Sequence, residues 1–317
     1  MKKIGILTRD CAGINATIRA IVRNAAAKKV KVAGIMRGYE GLIDAEFKEL
    51  DHRSVSGIIN LGGTILKTAR SERFLKKEFK LKAVKNIKNN NIDGIIVIGG
   101  NGSLTAAHIL ASRYSVPVIG VPATIDNDVN GVDMTIGADT ALNVALDALD
   151  KIRDTATSLE RIFVVEVMGR DCGYIALRVG LAAGAEEVLI PEKKFNMKKI
   201  CKDIINGNKK GKVSWIIITA EGKAKAPELA KKITKLTHLE TREVVLGHIQ
   251  RGGRPTAFDR ILAARYGSFA FDMLCKGKTD KCVTLKNEKL SLIPLKVAIE
   301  QKDIEVKSYY RLIKILT

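Results

Sequence analysis

The sequence has no apolar run that reaches the roughly 18 to 20 residues needed to cross a bilayer. Its basic start, MKKIGILTRD, lacks the long apolar region and the cleavage site of a secretory leader, and we interpret it as a first strand. The five cysteines are scattered and form no CxxC pair, a pattern typical of reduced thiols. We therefore expect no membrane partner and a cytoplasmic location.

Aromatic residues make up only 5% of the 317 residues, and no zinc-finger, RNP or basic-zipper pattern occurs. Basic residues are abundant, because 54 Lys and Arg against 34 Asp and Glu give a net charge of +20. Such a charge can indicate nucleic-acid binding, but the lysines are spread over many segments. We expect no nucleic-acid partner, and we expect some cationic residues to bind phosphorylated small molecules.

One stretch, residues 116–131 (VPVIGVPATIDNDVNG), joins a β-branched apolar run to two nearby carboxylates. The run predicts a buried strand, and Asp126 and Asp128 follow its carboxyl end, where open parallel sheets bind ligands. Alternate residues of an extended segment point the same way, so both carboxylates could face one ligand. They would suit a magnesium–phosphate site or a base beside a metal. An Asp/Asn-rich turn that only reverses the chain remains an alternative.

A second signal is the buried strand IIVIG, which continues into GGNGS and a helix predicted to begin near Ser103. Glycines there allow phosphate oxygens to approach backbone N–H groups, and the helix N-terminus adds a favourable dipole. The motif is neither GxxxxGK[ST] nor a full GxGxxG. It indicates a phosphate or nucleotide site without identifying the ligand.

Two basic loops could also bind phosphate. Arg70 and Arg73 follow a pair of glycines, and planar guanidinium groups clamp phosphate well; plain surface charge is the alternative. His248 and Arg251 lie in a glycine loop together with Arg254. A lone histidine is usually structural, but one beside Arg-Gly-Gly is a better candidate for a phosphate site.

Repeated strand–loop–helix units predict an α/β fold with two doubly wound, Rossmann-like lobes, parallel sheets and a cleft between the lobes. Residues 75–90 predict a lysine-rich helix. The sequence GYEGLID is interpreted as a turn-rich connection, and the polar segment from about residue 280 predicts no element.

Several motifs occur in a fixed order: GGTILKTAR, GGNGS, PATIDND, DKIRDTATSLER, VEVMGR, AEG, ETR and GHIQRGGRPTAFDR. Together they resemble bacterial-type ATP-dependent 6-phosphofructokinase, from residue 3 to about residue 275. The resemblance implies transfer of the ATP γ-phosphoryl group, with Mg²⁺, to the 1-hydroxyl of fructose 6-phosphate in glycolysis. It also implies an ATP-binding lobe (1–137 and 251–300) and a fructose 6-phosphate-binding lobe (138–250 and 301–317).

The resemblance assigns roles to matching residues, with Asp126 as the general base. Other residues implied in catalysis are Thr124, Arg70 and Arg170. Those implied in ATP binding are Arg70, Gly99, Gly100, Asn101, Gly102 and Ser103, and those implied in magnesium binding are Asn101 and Asp128. The sugar ester is assigned to Thr124, Asp126, Asp128, Arg161, Met168, Gly169, Arg170, Glu221, Arg242, His248 and Arg251.

The resemblance also implies a homotetramer, in which Arg161 and Arg242 reach in from a neighbouring subunit. It implies an effector pocket for ADP or phosphoenolpyruvate, formed by Arg19, Arg23, Arg153, Glu186, Lys210 and Lys212; plain surface charge is the alternative. Pyrophosphate-dependent relatives carry Asp where this chain has Gly102 and Lys where it has Ala123. Both positions therefore favour ATP as the donor.

Two departures from the family pattern concern the donor site. The family's first loop resembles TSGGDxPGxNA, whereas this chain reads TRDCAGINA, with Arg9 beside the missing glycines. Asn101 replaces the aspartate that normally approaches magnesium. The sequence thus leaves two hypotheses: an active ATP-dependent phosphofructokinase, or a weakened homologue that binds sugar phosphate as a regulatory or partner subunit.

Overall fold

A computed structural model describes all 317 residues, which divide into two compact units. Unit 1 comprises Met1–Thr140 and Arg251–Lys302, and unit 2 comprises Ala141–Gln250 and Asp303–Thr317. No helix is both long enough and apolar enough to span a bilayer. The assignment of ATP to one unit and of the sugar ester to the other stays a prediction.

The elements follow each other along the chain with short connections. The first half contains β1 (Lys3–Thr8), α1 (Ile14–Ala27), β2 (Lys31–Ile35), α2 (Tyr39–Asp44), β3 (Phe47–Leu50), α3 (Lys77–Asn89), β4 (Gly94–Gly99), α4 (Asn101–Tyr114), β5 (Val118–Pro122) and α5 (Ala138–Ser158). The second half contains β6 (Ile162–Val167), α6 (Tyr174–Ala182), β7 (Glu187–Leu189), α7 (Met197–Lys209), β8 (Trp215–Ala220), α8 (Ala226–Thr237), β9 (Thr241–Val245), α9 (Ala257–Cys275), β10 (Lys281–Lys286), β11 (Lys289–Pro294), α10 (Leu295–Ala298) and α11 (Lys307–Leu316).

The sheet of unit 1 has seven strands in the order β11-β10-β5-β4-β1-β2-β3. The predicted parallel arrangement holds for the central strands, and the two edges differ, because β3 pairs antiparallel with β2, and β11 pairs antiparallel with β10. The central strands are parallel and apolar, and every residue of β4 is buried. The strand order reverses between β1 and β4, so their carboxyl ends form the switch point at which such sheets bind ligands.

The sheet of unit 2 has four parallel strands in the order β7-β8-β6-β9. Its core joins Ile162 and Val164 of β6 to Ile217 of β8, Ile204 of α7 and Leu229 of α8. The buried carboxylate of Glu166 accepts the N–H of Ala226 at 2.9 Å, at the N-terminus of α8. The apolar runs of the sequence predict β6 and β8, which are buried along almost all of their length.

Two segments differ from their predicted structure. Residues 39–44 form the helix α2 rather than a turn. Gly41 does not break this helix: a Cβ there would stand 1.7 Å from the carbonyl oxygen of Met36, so glycine permits a close approach. The polar segment after residue 280 forms the hairpin β10–β11 and two helices, although β11 is largely solvent-facing.

Asp259 of α9 ties two helix N-termini together in unit 1. Its fully buried carboxylate accepts the N–H groups of Gly137 (2.9 Å) and Thr140 (2.8 Å) and the Thr140 hydroxyl (2.5 Å) at the start of α5. Thr256 caps α9 by accepting the N–H of Asp259 at 3.2 Å. Burial raises the pKa of Asp259, although the hydrogen bonds from Thr140 and Gly137 lower it in part.

We expect Asp259→Ala to destabilise unit 1 by about 3 kcal/mol, because it leaves several buried donors without an acceptor. Asp259→Asn keeps an acceptor oxygen and should lose about half as much. Urea unfolding with the m-value compared across the variants measures both effects. A midpoint unchanged in Asp259→Ala would show that the capping contacts do not stabilise the fold.

Candidate active site

The N-terminus of α4 is open toward an anionic ligand. Gly100 occupies the N-cap position, no side chain caps the helix, and its first turn contains no acidic residue. The N–H groups of Ser103 and Leu104 bond to the Gly100 carbonyl, which leaves the earliest N–H groups of the helix outside the helical ladder. A Cβ added at Gly102 would have no neighbour within 4 Å. This end of α4 therefore offers N–H groups and space to a phosphate.

The two glycines before α4 are needed for close packing. A Cβ on Gly99 would lie 2.8 Å from Ser103 and 3.0 Å from the Cγ atom of Arg9, and a Cβ on Gly100 would lie 3.0 Å from Thr124. The loops after β1, β4 and β5 thus meet at one edge of the sheet. The GGNGS and PATIDND motifs therefore lie next to each other.

Asp126 lies in a turn after β5 and is buried. The Thr124 hydroxyl donates to its carboxylate at 3.3 Å, so the two predicted catalytic residues are in contact. The prediction that Asp126 and Asp128 share one face of an extended segment is wrong. Asn127 between them has φ = 48°, a left-handed conformation that turns the chain.

Asn127 was not predicted as a functional residue, yet it holds the loop that carries Asp126. Its side chain donates to the Asp133 carbonyl at 3.1 Å and accepts the N–H of Thr135 at 2.9 Å. The Thr135 hydroxyl in turn donates to the Thr124 carbonyl at 2.6 Å. Asparagine both tolerates the left-handed conformation and supplies these bonds. The Asp/Asn-rich turn sequence was therefore the feature that could have indicated the role of Asn127.

The C-terminal part of unit 1 supports the same loop from behind. The N–H of Asn130 donates to the Ala298 carbonyl at 3.1 Å. The Thr284 hydroxyl donates to the Gly131 carbonyl at 2.6 Å, and the Lys302 ammonium donates to the Val132 carbonyl at 2.7 Å. The segment without a sequence-predicted element therefore stabilises the position of Asp126.

Asn101 and Asp128 form a polar pair beside the α4 N-terminus. The Asn101 amide donates to the Asp128 carboxylate at 2.9 Å and to its main-chain carbonyl at 3.2 Å. The Oδ1 atom of Asn101 is buried without a hydrogen-bond partner. An oxygen acceptor next to one carboxylate suits Mg²⁺, which proteins bind through one or two carboxylates plus substrate phosphates and water. No cluster of three or more His, Cys, Asp or Glu residues forms a protein-only metal cage.

We expect Asn101→Asp to make thermal stability dependent on magnesium. The new carboxylate would lie against Asp128, so the two charges repel without a cation and share one when Mg²⁺ is present. Millimolar Mg²⁺ should then raise the melting temperature by about 3 °C or more above its effect on the wild type, and half-maximal activity should need less Mg²⁺. Asn101→Ala is the control, because it removes the same hydrogen bond without adding a charge. Equal magnesium responses in all three proteins would place position 101 outside the metal site.

Arg70 and Arg73 have different environments. Arg73 is committed to protein carboxylates: its guanidinium donates to Glu40 at 2.9 Å and to Asp44 at 2.6 Å. The hydrogen bond from Arg73 lowers the pKa of both carboxyl groups. The prediction that Arg73 clamps a ligand phosphate is therefore wrong. Arg70 is exposed, and the segment before it is tied to the end of β1.

In unit 2, the loops after β6 and β8 meet. The N–H of Arg170 donates to the Glu221 carboxylate at 3.0 Å, and a Cβ on Gly222 would lie 1.9 Å from the Arg170 carbonyl. Gly169 has φ = 137° and Arg170 φ = 51°, so the tight turn after β6 depends on Gly169. The N–H of Met168 donates to the side chain of Gln250 at 2.8 Å, a fully buried residue that was not predicted. The structure thus brings Arg170 and Glu221 together as expected.

Arg161 and Arg242 are also brought together, because β6 pairs with β9 so that Ile162 lies opposite Thr241. The Nε atom of Arg161 lies 2.9 Å from one carboxylate oxygen of Glu240, and the Nη2 atom of Arg242 lies 2.5 Å from the other. The hydrogen bond from Arg161 is the main cause that lowers the pKa of Glu240, and Arg242 adds to it. Glu240 was not predicted; its place in the ETR motif was the signal.

His248 is exposed and lies with the half-buried Arg251 in a short 3₁₀ helix, Gly247–Arg251. Their convergence with Arg161 and Arg242 on one sugar phosphate stays a prediction.

Among the effector candidates, the Arg153 guanidinium donates to the carbonyls of Ala183 (2.5 Å) and Gly184 (2.8 Å). Lys212 pairs with the nearly buried Glu186 at 3.0 Å. Lys210 is exposed, and Arg19 and Arg23 lie on α1 in unit 1.

A sheet with parallel central strands, a free helix N-terminus, an amide–carboxylate pair and a buried Asp–Thr pair at its switch point is typical of an α/β phosphotransferase. Comparisons with known proteins identify the group within that class. A family model described as Phosphofructokinase matches residues 3–274. An ATP-dependent 6-phosphofructokinase of Clostridium acetobutylicum is 51% identical over 292 residues, which cover 92% of this chain and 91% of that protein. A Clostridium botulinum protein of the same name has the same identity and coverage. The chain belongs to the phosphofructokinase family.

Solved structures agree with this assignment. A Pichia pastoris phosphofructokinase crystallised in the T-state superimposes with a TM-score of 0.89 at 35% identity, and the match covers 94% of this chain and 37% of that one. The Saccharomyces cerevisiae phosphofructokinase gives 0.88 at 32% identity, covering 94% of this chain and 45% of that one. The chain thus spans less than half the length of these two. A pyrophosphate-dependent phosphofructokinase of Marinobacter aquaeolei, at 22% identity and a TM-score of 0.85, shares the fold.

Proposed function

We infer that this protein is an ATP-dependent 6-phosphofructokinase, which transfers the γ-phosphoryl group of ATP to the 1-hydroxyl of fructose 6-phosphate. The products are fructose 1,6-bisphosphate and ADP, as in glycolysis. The observation that carries the inference is the meeting of the Gly100-capped α4 N-terminus with the Thr124–Asp126 pair at the switch point of the sheet. High identity to relatives named for this activity supports it.

The donor site is assigned to Gly99, Gly100, Asn101, Gly102 and Ser103, because phosphoryl transfer depends mainly on positioning and on neutralising phosphate charge. Gly102 and Ala123, in place of the Asp and Lys of pyrophosphate-dependent relatives, support ATP as the donor. Asn101 and Asp128 would hold Mg²⁺, whose chemistry when bound is to neutralise charge on the phosphate oxygens. Arg70 supplies a further positive charge for the transferred group.

At the acceptor side, the carboxylate of Asp126 takes the proton of the sugar hydroxyl as it attacks. Thr124, which donates to Asp126, orients that carboxylate. In unit 2, Met168, Gly169, Arg170 and Glu221 are assigned to the sugar. The 6-phosphate is assigned to Arg161, Arg242, His248 and Arg251, all of them basic or imidazole side chains suited to an anion.

We propose a homotetramer in which Arg161 and Arg242 serve a neighbouring subunit's site. Both arginines contact Glu240, which holds their side chains near each other in this protomer. The effector pocket for ADP or phosphoenolpyruvate, from Arg19, Arg23, Arg153, Glu186, Lys210 and Lys212, remains part of this proposal. The cytoplasmic location stays a prediction, and the five cysteines are free thiols in the structure.

Steady-state kinetics with fructose 6-phosphate, Mg²⁺ and either ATP or pyrophosphate test the function. We expect turnover with ATP in the range of about 1 to 100 per second that is usual for kinases, and none with pyrophosphate. A protein that binds fructose 6-phosphate by calorimetry but transfers no phosphoryl group would be the regulatory homologue instead. Turnover with pyrophosphate alone would overturn the donor assignment.

A further inference from the structure

Arg9 occupies a fixed position at the switch point of unit 1. It directly follows β1, and its main-chain N–H donates to the Ile98 carbonyl at 3.0 Å, which extends the pairing of β1 with β4 by one residue. Its aliphatic stem passes over Gly99, where a Cβ would stand 3.0 Å from the Arg9 Cγ atom. Main chain and stem are therefore both held against the start of the phosphate-binding loop.

The guanidinium of Arg9 reaches a different loop. Its Nη1 atom donates to the Ala69 carbonyl at 2.7 Å and to the Thr68 hydroxyl at 3.4 Å. Ala69 immediately precedes Arg70 in the chain. A half-buried arginine thus connects the loop that binds the donor phosphates to the peptide unit beside a second, exposed arginine.

The rest of that loop is held by other contacts. The Thr8 and Thr64 hydroxyls lie 2.9 Å apart, and the buried Asn15 donates to the carbonyls of Leu61 (3.2 Å) and Gly62 (3.1 Å) and accepts the N–H of Ile65 (2.8 Å). These bonds hold residues 61–65, and the Leu66 carbonyl accepts the N–H of Arg37 at 2.9 Å. Beyond Arg70, the Ser71 hydroxyl accepts the N–H of Phe74 at 3.1 Å. From the β1 side, Arg9 is what reaches the peptide next to Arg70.

We propose that Arg9 is a positioning residue for Arg70: by holding the Ala69 carbonyl, it keeps the Arg70 guanidinium directed at the transferred phosphoryl group. The inference rests on the proposed function. Arg9 acts here through a neutral carbonyl and not as a phosphate ligand, so its loss misplaces Arg70 without removing a charge from the nucleotide. The chain thereby secures Arg70 although its first loop lacks glycines that the family pattern has.

A double-mutant cycle with Arg70 tests this proposal. Arg9→Ala should lower kcat about tenfold with the KM for fructose 6-phosphate unchanged, because the lost interaction matters mainly in the transition state. In an Arg70→Ala background, Arg9→Ala should change kcat by less than about twofold, since residues that act as a unit are not additive. Arg9→Lys, which can still donate to the Ala69 carbonyl, should restore most of the rate.

Thr8→Val is the matched control, because it removes a contact to the same loop at Thr64 and not beside Arg70. It should leave kcat within about twofold of the wild type if only the peptide next to Arg70 matters. If the losses in kcat of the two single variants multiplied in the double variant, Arg9 would act independently of Arg70, as a direct contact to the nucleotide would. That result would overturn the proposal. An unchanged kcat in Arg9→Ala would overturn it as well.

Amide hydrogen exchange of residues 66–72 tests the role of Arg9 without any catalytic assay. In the protein without ligands, these amides should exchange faster in Arg9→Ala than in the wild type, and at the wild-type rate in Arg9→Lys. If the wild type transfers no phosphoryl group, the proposed function fails, and this exchange result alone decides whether Arg9 positions the segment. Equal exchange in wild type and Arg9→Ala removes the positioning role. Should Arg9→Ala not fold, Arg9→Met, which keeps an apolar stem over Gly99 but has no N–H donor, takes its place in every measurement.

Discussion

Asp126→Ala should lower kcat by a factor of about 10² to 10⁴, the contribution typical of a positioned general base. The KM for fructose 6-phosphate should stay within a few-fold, because the carboxylate acts mainly in the transition state. The buried position of Asp126 and its contact with Thr124 at 3.3 Å indicate that the carboxylate is oriented before substrate binds. Steady-state kinetics with the sugar ester varied at saturating ATP measure both parameters.

Two variants serve as controls for this result. Asp126→Asn keeps the shape and the hydrogen bond from Thr124 but cannot take a proton, so it should be as inactive as the alanine variant. Asp133→Ala removes an exposed carboxylate from the same loop and should leave the rate unchanged, since Asp133 contributes a main-chain carbonyl, not its side chain, to Asn127. If Asp126→Asn kept more than a tenth of the wild-type rate, another group would be the base.

Gly102→Asp should raise the KM for ATP by about 10²-fold while leaving the fold intact. A carboxylate about 4 Å from a phosphate repels it. At an effective dielectric constant of about 20, this repulsion weakens ATP binding by on the order of 4 kcal/mol before screening, which is enough for a rise in KM of about 10²-fold or more. The substitution should fold normally, because a Cβ at this position meets no atom within 4 Å. An acidic residue in the first turn of α4 also interacts favourably with the helix dipole, so the melting temperature should not fall.

Gly102→Asn separates charge from size. It is close to aspartate in volume but neutral, so its KM for ATP should rise less than about tenfold. The KM for fructose 6-phosphate should be the same in both variants and in the wild type. Equal effects of Asn and Asp would show that crowding rather than repulsion governs this position, and no effect of either would place Gly102 away from the nucleotide phosphates.

The strands that carry the site could be predicted because their signal is local. The runs in β1, β4, β5 and β8 are apolar and nearly fully buried, so a continuous β-branched pattern is sufficient to identify them. The adjacency of GGNGS and PATIDND depends on the pairing of β4 with β5, which a local pattern does not specify.

What could not be predicted depends on contacts between residues distant in the chain. Asn127, Asn15 and Asp259 look like ordinary loop or cap residues in the sequence, yet each satisfies several backbone groups elsewhere. The hairpin β10–β11 was not predicted, although the hydroxyl of Thr284 in β10 donates to the Gly131 carbonyl in the Asp126 loop. Arg73 could not be told from Arg70 because the partners Glu40 and Asp44 come from another helix.

The most direct test of the account is phosphorus NMR of the purified wild-type protein with fructose 6-phosphate, Mg²⁺ and ATP, beside a second sample with pyrophosphate in place of ATP. The account predicts loss of the γ-phosphate resonance of ATP, growth of ADP and a second sugar phosphomonoester resonance at the 1-position, and an unchanged pyrophosphate sample. An unchanged sugar phosphate in the ATP sample, or a bisphosphate formed from pyrophosphate, would contradict it.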